Sequence, residues 1–556
     1  MRRLVLVAGV ALVAAVFASP ASGAAGRISV GLTPDVTPED VAAALEAATD
    51  GDVTSDLGPL DALVLAVPDV DGALAAASAV PGVDYAEPVE VSRTLAFTPD
   101  DPYAGGQWYL SSIRAFDHWA AWVEPPPLPP VRVAVIDSGI DSTHPEFLGG
   151  RIAEARNFIS SDPAATADTV GHGTMVAGEI AAAVDNAVGI AGVGIPVELL
   201  VAKVVGPNGG ISLLNEARAI RWAVDRGATV INLSIGGPRD PRDPFRDSYS
   251  ELERSAIDYA TRNGVVVVAA GGNCVDICPD PYVGYPAALP HVVGVSAIAP
   301  DNSTPRFSNR DRYHNDFAAP GTEMLSTYPL AYSPAAPDCT RPGYTDCAVR
   351  SGHRSPSGTS FSAPLASAAA ALLQAERGRL GLRSLHASQV TLMIERAAVD
   401  IGAPGRDRFS GRGRLDVARA LSALGRALPA RDRLETNDDA GARARSLWGL
   451  NRTVKATLTR YDDIRDVYRV YLRAGRRAVF RVAGLADADL KLVLWRPGTR
   501  RITGAERRWA NRLAATDTPS SRERLVYRAS RSGWYFLEVR LVAGRAGLYR
   551  LAIAKP

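Results

Sequence analysis

The sequence has 556 residues, too many for one ordinary hydrophobic core, and predicts about three folded units. Hydrophobic residues make up 47% and charged residues 22%, as is typical of globular proteins. The formal net charge of +1 excludes the overall basic excess of a nucleic-acid binder and the acidic excess of a solvating tail.

Residues 1–24 are typical of an export signal peptide. Arg2 and Arg3 precede an apolar run at 4–18, which is short for a membrane span, and small residues follow at 21–24. An N-terminal membrane anchor is the alternative. Because no later run is long and charge-free enough to span a bilayer, we expect a secreted, extracellular protein with no stable membrane anchor.

Residues 27–92 predict a small α+β unit. The expected elements, in chain order, are a strand at 27–32, a helix at 38–48, a strand at 62–67, a helix at 70–79 and a strand at 84–89.

Residues 105–425 alternate apolar strands with helical stretches. The runs at 131–136, 228–233 and 265–270 are short and apolar on nearly every position, which suits strands buried on both faces of a parallel sheet. Helical periodicity lies between them at 213–226 and 249–263. This alternation predicts a doubly wound parallel α/β sheet.

A polar segment at 427–439 introduces a last zone, 431–556, with a different pattern. Turn signals there separate short apolar runs, so we expect a C-terminal all-β sandwich. Its predicted strands are 467–472, 478–482, 490–495, 524–528, 534–539 and 548–553.

The four cysteines, Cys274, Cys278, Cys339 and Cys347, fit disulfides in an exported protein. Pairing each cysteine with its near neighbour is the simplest arrangement, but four cysteines allow three connectivities. Zinc binding is disfavoured because the spacing is not a usual zinc pattern.

Three short motifs in the middle zone carry chemistry. Asp137 ends a predicted buried strand, where catalytic groups of α/β sheets gather, although turns also favour aspartate. His172 lies between two glycines at a helix start, where a lone histidine is more often structural. Ser360 precedes a helical run and alone would be explained as a helix cap.

Together, in the order Asp, His, Ser, these motifs closely resemble those of the subtilase family of serine proteases across residues 105–425. The resemblance implies that Ser360 is the nucleophile, His172 the general base and acid, and Asp137 the carboxylate that orients the imidazole. It also implies that Asn273, after the strand at 265–270, donates to the oxyanion beside the Ser360 backbone N–H. Neither H-E-x-x-H nor G-x-S-x-G occurs.

The same resemblance implies substrate contacts. Ser234, Ile235 and Gly236 match the segment that pairs with the substrate backbone as an added strand. Gly284 matches the floor of the primary specificity pocket, which suggests large apolar or aromatic side chains there. Met175 departs from the second histidine of many relatives, and the connection at 322–356 is longer than usual.

The chemistry requires no cofactor, but the resemblance implies a structural calcium ion. Glu146, Asp185 and Asn186 match positions where relatives supply oxygen ligands, together with backbone carbonyls. A polar surface loop explains the same residues about as well.

The flanking zones carry further resemblances. Residues 27–92 resemble a subtilase propeptide, which would assist folding, block the cleft as an intramolecular inhibitor and be cut off between about 91 and 101. A permanently attached accessory domain is the alternative. Residues 431–556 resemble a prepeptidase C-terminal domain, for which substrate or surface binding, help with export and removal all stay open.

The expected protein is therefore a monomeric, self-processing serine endopeptidase that cleaves protein or peptide substrates through an acyl-enzyme intermediate. A non-catalytic binding protein on the same scaffold is disfavoured because every catalytic group is present. An esterase with the same triad is disfavoured because a cleavable inhibitor segment suits a protease.

Overall fold

The computed structural model describes residues 26–34, 36–89, 97–119, 127–240, 242–243, 245–274, 282–332, 352–425, 434, 437–486, 488–502, 509–516, 518–544 and 547–555. Contacts within the chain define two compact units, Met1–Thr94 and Leu95–Pro556. The predicted signal peptide lies outside the described residues.

The first unit is a four-stranded antiparallel sheet, in the order β2-β3-β1-β4, with two helices. Its elements are β1 (Gly26–Leu32), α1 (Pro38–Thr49), β2 (Asp52–Asp56), β3 (Ala62–Val67), α2 (Val70–Ser78) and β4 (Val83–Pro88). All five predicted elements coincide with observed ones within one residue at each end. Strand β2 escaped prediction because it is a polar, exposed edge strand held by its pairing with β3.

The second unit begins with the α/β layers. Their elements are α3 (Trp108–Ser112), β5 (Val131–Asp137), β6 (Ile152–Asn157), α4 (His172–Ala181), β7 (Val197–Lys203), α5 (Leu213–Asp225), β8 (Val230–Leu233), α6 (Glu251–Arg262), β9 (Val266–Ala270), β10 (Val292–Ile298), β11 (Phe317–Pro320), β12 (Ser326–Thr327), β13 (His353–Arg354), α7 (Ser362–Arg379), α8 (Ala387–Ala397) and α9 (Val417–Ser422). Seven strands form one parallel sheet in the order β11-β10-β9-β8-β5-β7-β6.

Helices cover both faces of this sheet, which confirms the predicted doubly wound fold. Apolar residues of α4 and α7 pack in the core on one face, and those of α5 and α6 pack on the other. The strand order changes direction at β5, because β7 lies on one side of it and β8 on the other. Ligand sites of open α/β sheets lie at the carboxyl ends of strands beside such a switch point.

The C-terminal part of the second unit is a sandwich of two sheets, in the orders β14-β16-β21-β18-β19 and β15-β22-β17-β20. Its strands are β14 (Arg445–Leu447), β15 (Asn451–Leu458), β16 (Arg465–Leu472), β17 (Arg477–Ala483), β18 (Ala488–Trp495), β19 (Arg512–Ala515), β20 (Arg522–Arg528), β21 (Gly533–Gly544) and β22 (Gly547–Ala554). All six predicted strands are present. Strands β14, β15 and β19 were missed because few of their residues are buried.

The loop between β15 and β16 attaches the sandwich to the α/β layers. Arg460 donates hydrogen bonds to the carbonyls of Ala287 (2.9 Å), Leu289 (3.2 Å) and Tyr313 (2.9 Å). The Tyr461 hydroxyl, which is buried, donates to a carboxylate oxygen of Glu395 at 3.0 Å. These buried polar groups satisfy one another and join the loop to the α/β layers, whereas the apolar residues of the sandwich strands form a core of their own.

Within the described ranges, no helix combines the length and the apolar character needed to cross a membrane.

Candidate active site

Asp137 and His172 form a hydrogen-bonded pair at the carboxyl end of the central strand. Asp137 is the last residue of β5 and is fully buried, and His172 is the first residue of α4. Nδ1 of His172 lies 2.9 and 3.0 Å from the two carboxylate oxygens of Asp137. A neutral imidazole that donates from Nδ1 leaves Nε2 as an acceptor, which is the form that a general base requires.

The glycines beside His172 permit close packing around the imidazole. Gly171 has φ of 92°, and a Cβ there would lie 2.4 Å from the ring of Tyr328. A Cβ on Gly173 would lie 2.3 Å from the carbonyl oxygen of Gly139. Any larger residue would therefore displace the start of α4.

Asp168 is a buried carboxylate beneath this pair that the sequence analysis missed. It accepts hydrogen bonds from the hydroxyl of Ser138, from the backbone N–H of Gly171 and from both the backbone and the hydroxyl of Thr174. Asp168 thereby fixes the loop that delivers His172. Its sequence signal was its place four residues before the histidine, next to small hydrogen-bond donors.

The electrostatic environment favours protonation of His172. Burial alone lowers the pKa of this imidazole, but the charge and hydrogen bond of Asp137, together with the charge of Asp168, outweigh burial and raise the pKa above its ordinary 6.5. The side chain stays 24% exposed, so the ring is accessible from the cleft.

Ser360 lies in the short helical turn that leads into α7, beside the same cleft. Its hydroxyl donates to the backbone carbonyl of Ser234 at 3.1 Å, and the Ser234 hydroxyl donates to the Ser360 carbonyl at 2.7 Å. Among the described residues, the Ser360 hydroxyl has no hydrogen bond to His172. The two side chains nevertheless line one cleft of about 720 Å³, together with Asp137.

Asn273 is held so that its amide N–H₂ is available. Its Oδ1 accepts hydrogen bonds from the backbone N–H (2.9 Å) and the hydroxyl (3.0 Å) of Thr359, the residue before Ser360. Because Oδ1 is occupied by two donors, Nδ2 is left to donate, and it has no acceptor among the described residues. Asn273 lines the cleft with Ser360, so the structure brings together all four predicted catalytic positions.

The predicted substrate-binding residues Ser234, Ile235, Gly236 and Gly284 also line this cleft. A Cβ on Gly236 would lie 2.1 Å from the carbonyl oxygen of Tyr285, and one on Gly284 would lie 2.6 Å from that of Gly237. The two glycines thus allow two loop segments to pair closely, with Gly237 bridged to Tyr285. The preference for large apolar side chains stays a prediction.

Arginines at the rim of the cleft escaped the sequence analysis. Arg239, Arg242 and Arg246 line it, and the first two lie over the ring of Tyr282 at 5.5 and 5.3 Å. Arg239 also forms an ion pair with Asp311 at 2.7 Å. Only the folded loop at 237–248 places these cations beside the catalytic groups.

The predicted calcium ligands have other partners in this structure. Glu146 Oε1 accepts from the backbone N–H of Ile190 (2.7 Å), Asn186 Oδ1 from that of Val188 (2.9 Å), and Asp185 Oδ1 from that of Asp100 (3.2 Å). In the part of the chain that the structure describes, no three acidic, histidine or cysteine side chains form a metal-binding group. Calcium binding therefore stays a prediction from the resemblance.

Cys274 is disulfide-bonded, at the edge of the cleft. Cys278, Cys339 and Cys347 lie outside the described residues, so the pairing stays a prediction.

Comparisons with known proteins agree with this geometry. A sequence profile described as "Subtilase family" matches residues 130–413, just over half of the chain. Thermitase of Thermoactinomyces vulgaris is 30% identical over 326 residues, which are 58% of this chain and 99% of thermitase.

Other relatives align over shorter stretches. The thermophilic serine proteinase of Bacillus sp. (strain AK1) is 35% identical over 264 residues, 48% of this chain and 61% of that protein. Subtilisin amylosacchariticus of Bacillus subtilis subsp. amylosacchariticus is 36% identical over 199 residues, 36% of this chain and 49% of that protein. The chain thus spans about half to three-fifths of the length of these two relatives. With the parallel sheet and the Asp137–His172 pair, the profile match shows that this chain belongs to the subtilase family.

Proposed function

We propose that this chain is a secreted serine endopeptidase that hydrolyses peptide bonds with Ser360 as nucleophile, His172 as general base and acid, and Asp137 as orienting carboxylate. The observation that carries the proposal is the hydrogen bond between His172 and Asp137 in the cleft that also holds Ser360 and Asn273. Protein and peptide segments are the expected substrates, since the relatives named above are proteinases and subtilisins.

The first step follows from these positions. Ser360 leaves its bond to the Ser234 carbonyl by rotation about its Cα–Cβ bond and turns its hydroxyl towards Nε2 of His172. His172 takes the proton as the serine oxygen attacks the substrate carbonyl, and the resulting imidazolium is stabilised by Asp137. His172 then protonates the leaving amine, and water releases the acyl group by the same route.

Two donors are placed to stabilise the negative oxygen of the tetrahedral intermediate. One is Nδ2 of Asn273, whose orientation Thr359 fixes. The other is the backbone N–H of Ser360, in the turn just before α7, where the helix dipole favours negative charge. Such donors act strongly because they are already oriented before the charge develops.

The first unit supports synthesis as a self-processing zymogen. It forms its own hydrophobic core from β1, β3 and the two helices, and the contact boundary at Thr94 falls within the predicted processing segment. On this proposal the unit assists folding, inhibits the enzyme and is then released. The signal-like residues 1–24 support export.

Purified protein and its Ser360→Ala variant test the proposal directly. The unaltered protein should digest casein, react covalently with a fluorophosphonate and lose residues up to about 91–101. Ser360→Ala should do none of these and keep residues 27–101, while its circular dichroism and cooperative thermal unfolding show that it is folded. An unlabelled, unprocessed and inactive wild-type protein would support a non-catalytic binding role, whereas hydrolysis of ester but not peptide substrates would support an esterase.

A further inference from the structure

A second pocket, the sandwich pocket, lies at one end of the C-terminal sandwich. It has a volume of about 470 Å³, within the range of ligand-binding pockets, and shares no lining residue with the cleft around Ser360. Strand ends and turns of both sheets form it, at residues 447–450, 471–473, 476–478, 534 and 555.

Aromatic rings form a corner in this pocket. The ring of Trp534 meets that of Trp448 at 4.7 Å and 81°, and that of Tyr471 at 5.5 Å and 71°. Trp448 is 63% exposed and Tyr471 is 42% exposed. Large aromatic side chains that stay exposed in a concave surface are typical of binding sites, where a partner removes them from water.

Every charged side chain that lines the sandwich pocket is positive: Arg473, Arg476, Arg477 and Lys555. Among the described residues none of these four forms an ion pair, whereas Arg540 elsewhere on the sandwich lies 2.6 Å from Glu538. Burial, followed by the charge of Arg452, lowers the pKa of Lys555. A bound anion would raise this pKa again, because it stabilises the charged ammonium. Charge complementarity therefore selects an anionic ligand and excludes the cations that aromatic cages otherwise bind.

The side chains that line the sandwich pocket also favour one class of anionic ligand over others. Apart from the Tyr471 hydroxyl, the polar side-chain groups can only donate hydrogen bonds, which suits carboxylates and offers the hydroxyl protons of a neutral sugar no other side-chain acceptor. Perpendicular rings form a notch for one side chain, whereas a polysaccharide would need a flat platform. A membrane would be contacted by protruding apolar side chains, but these rings line a concavity.

We propose that the sandwich pocket binds an acidic peptide segment, with one large apolar side chain packed into the corner formed by the rings of Trp448, Tyr471 and Trp534, and flanking aspartate or glutamate side chains bound by the surrounding arginines. This site would hold a protein partner by a segment other than the one that is cleaved. The proposal is independent of proteolysis, because binding requires only the sandwich.

Fluorescence anisotropy on the full chain carrying Ser360→Ala tests this without digestion of the probe. The probe is a fluorescein-labelled peptide with a central phenylalanine between two pairs of acidic residues. One comparison peptide has glutamine and asparagine in place of the acids, and another has glycine in place of phenylalanine. We expect the acidic peptide to bind at least tenfold more tightly than either, with affinity falling as salt is raised.

Two matched double variants each remove two positive charges from the sandwich, one at the pocket and one away from it. Arg476→Gln/Arg477→Gln should weaken binding about tenfold or more, and Trp448→Ala should do so by a similar factor. The control is Arg522→Gln/Arg524→Gln, in the first half of β20, whereas Arg477 pairs with Arg528 at the end of that strand. The control should leave the affinity for the acidic peptide unchanged. Because Trp448 and these arginines are exposed, we expect every variant to keep the same melting temperature. Equal melting temperatures will show that a loss of binding is not caused by unfolding.

Three results would overturn the proposal. They are equal binding of the acidic and neutral peptides, unchanged affinity in the pocket variants, and tighter, pocket-dependent binding of a glucuronate oligosaccharide or of phosphatidylglycerol vesicles. The last would assign the pocket to a glycan or a membrane surface instead.

Discussion

Ser360 and Ser234 bind each other reciprocally: the hydroxyl of each donates to the backbone carbonyl of the other, at 3.1 and 2.7 Å. The pair links the turn before α7 to the end of β8, so the position of the proposed nucleophile depends on the segment that would hold substrate. Asn232 supports this link, since its side-chain amide donates to the Ser234 hydroxyl at 2.9 Å.

Ser234→Ala should therefore reduce kcat about tenfold while KM changes little. The substitution removes the bond that fixes the Ser360 backbone but leaves the carbonyl of residue 234 in place, and a tenfold loss corresponds to about 1.4 kcal/mol of transition-state stabilisation. Steady-state kinetics and the rate of fluorophosphonate labelling measure it, with Ser111→Ala on the exposed surface as control. A rise in KM alone would assign Ser234 to substrate binding and not to positioning.

Asn273→Leu should lower kcat by about 10²–10³, because one donor to the oxyanion is lost. It also leaves Thr359 without its acceptor, so the melting temperature must be measured beside the kinetics. Thr359→Ser keeps both hydrogen bonds to Asn273 and should be nearly as active as the wild type. Near-wild-type kcat in a folded Asn273→Leu protein would remove this residue from the mechanism.

The acid limb of the pH–rate profile should report His172. Only the neutral imidazole can act as base, and because the pKa of His172 is raised above its ordinary value, activity should decline at a higher pH than for an unperturbed histidine. Removing one of the charges that raise this pKa should lower it, so Asp168→Asn should stay active to lower pH. Profiles of kcat/KM for both proteins give the shift.

Asp225→Asn, an exposed change on α5, is the control for this profile. Asp168→Asn should also lower the melting temperature, since the carboxylate accepts hydrogen bonds throughout the loop before α4. A limb that stays in place, or moves to higher pH, would show that the charge of Asp168 does not act on His172.

Much of this site could be predicted from sequence because its parts lie in short, local patterns. Asp137 ends an apolar strand and Ser360 precedes a helix, so their places follow from the geometry of a parallel sheet. Asp168 could not be assigned in this way, because its function depends on Ser138 and Thr174, which approach it only after folding.

The strands that could be predicted from sequence differ from those that could not in the same way. Buried strands such as β5 and β9 can be predicted from their continuous apolar residues. Strands β2 and β14 lack this pattern because they are edge strands held by backbone pairing. Arg460 gave no signal at all, since its carbonyl acceptors belong to a segment more than a hundred residues away in sequence.

Glu179→Met should stabilise the protein more at pH 8 than at pH 4.5. Burial raises the pKa of Glu179 well above its ordinary 4.5, and neither carboxyl oxygen has a hydrogen-bond partner among the described residues. The folded state therefore keeps a proton that the unfolded chain releases, so stability is lost as the pH rises above 4.5. Methionine removes that penalty, by roughly 1–3 kcal/mol at pH 8.

Thermal unfolding of Ser360→Ala proteins, which cannot digest themselves on the proposed function, measures this pH dependence. Glu323→Gln, an exposed carboxylate, should give no pH-dependent gain. An equal change in melting temperature at both pH values would mean that Glu179 is not held neutral by the fold.

Arg460→Ala should destabilise the second unit and impair the cleft together. It removes donors from three backbone carbonyls, two of them in the segment that follows Gly284 and Tyr285 at the cleft. With about 1–3 kcal/mol for each of the three acceptors left unpaired, we expect a loss of at least about 3 kcal/mol in the free energy of unfolding. Because the cleft segment is loosened, kcat/KM should fall several-fold.

Urea unfolding of inhibited enzyme and peptide kinetics measure the two effects, with Arg524→Ala on the exposed sandwich surface as control. Arg460→Lys should recover only part of the loss, since an ammonium cannot reach three carbonyls in the fixed geometry of a guanidinium. If Arg460→Ala left catalysis intact and the sandwich unfolded in a separate, earlier transition, the sandwich would be a tethered module. A single shifted transition with weakened catalysis would instead make Arg460 the residue through which the sandwich positions the substrate cleft.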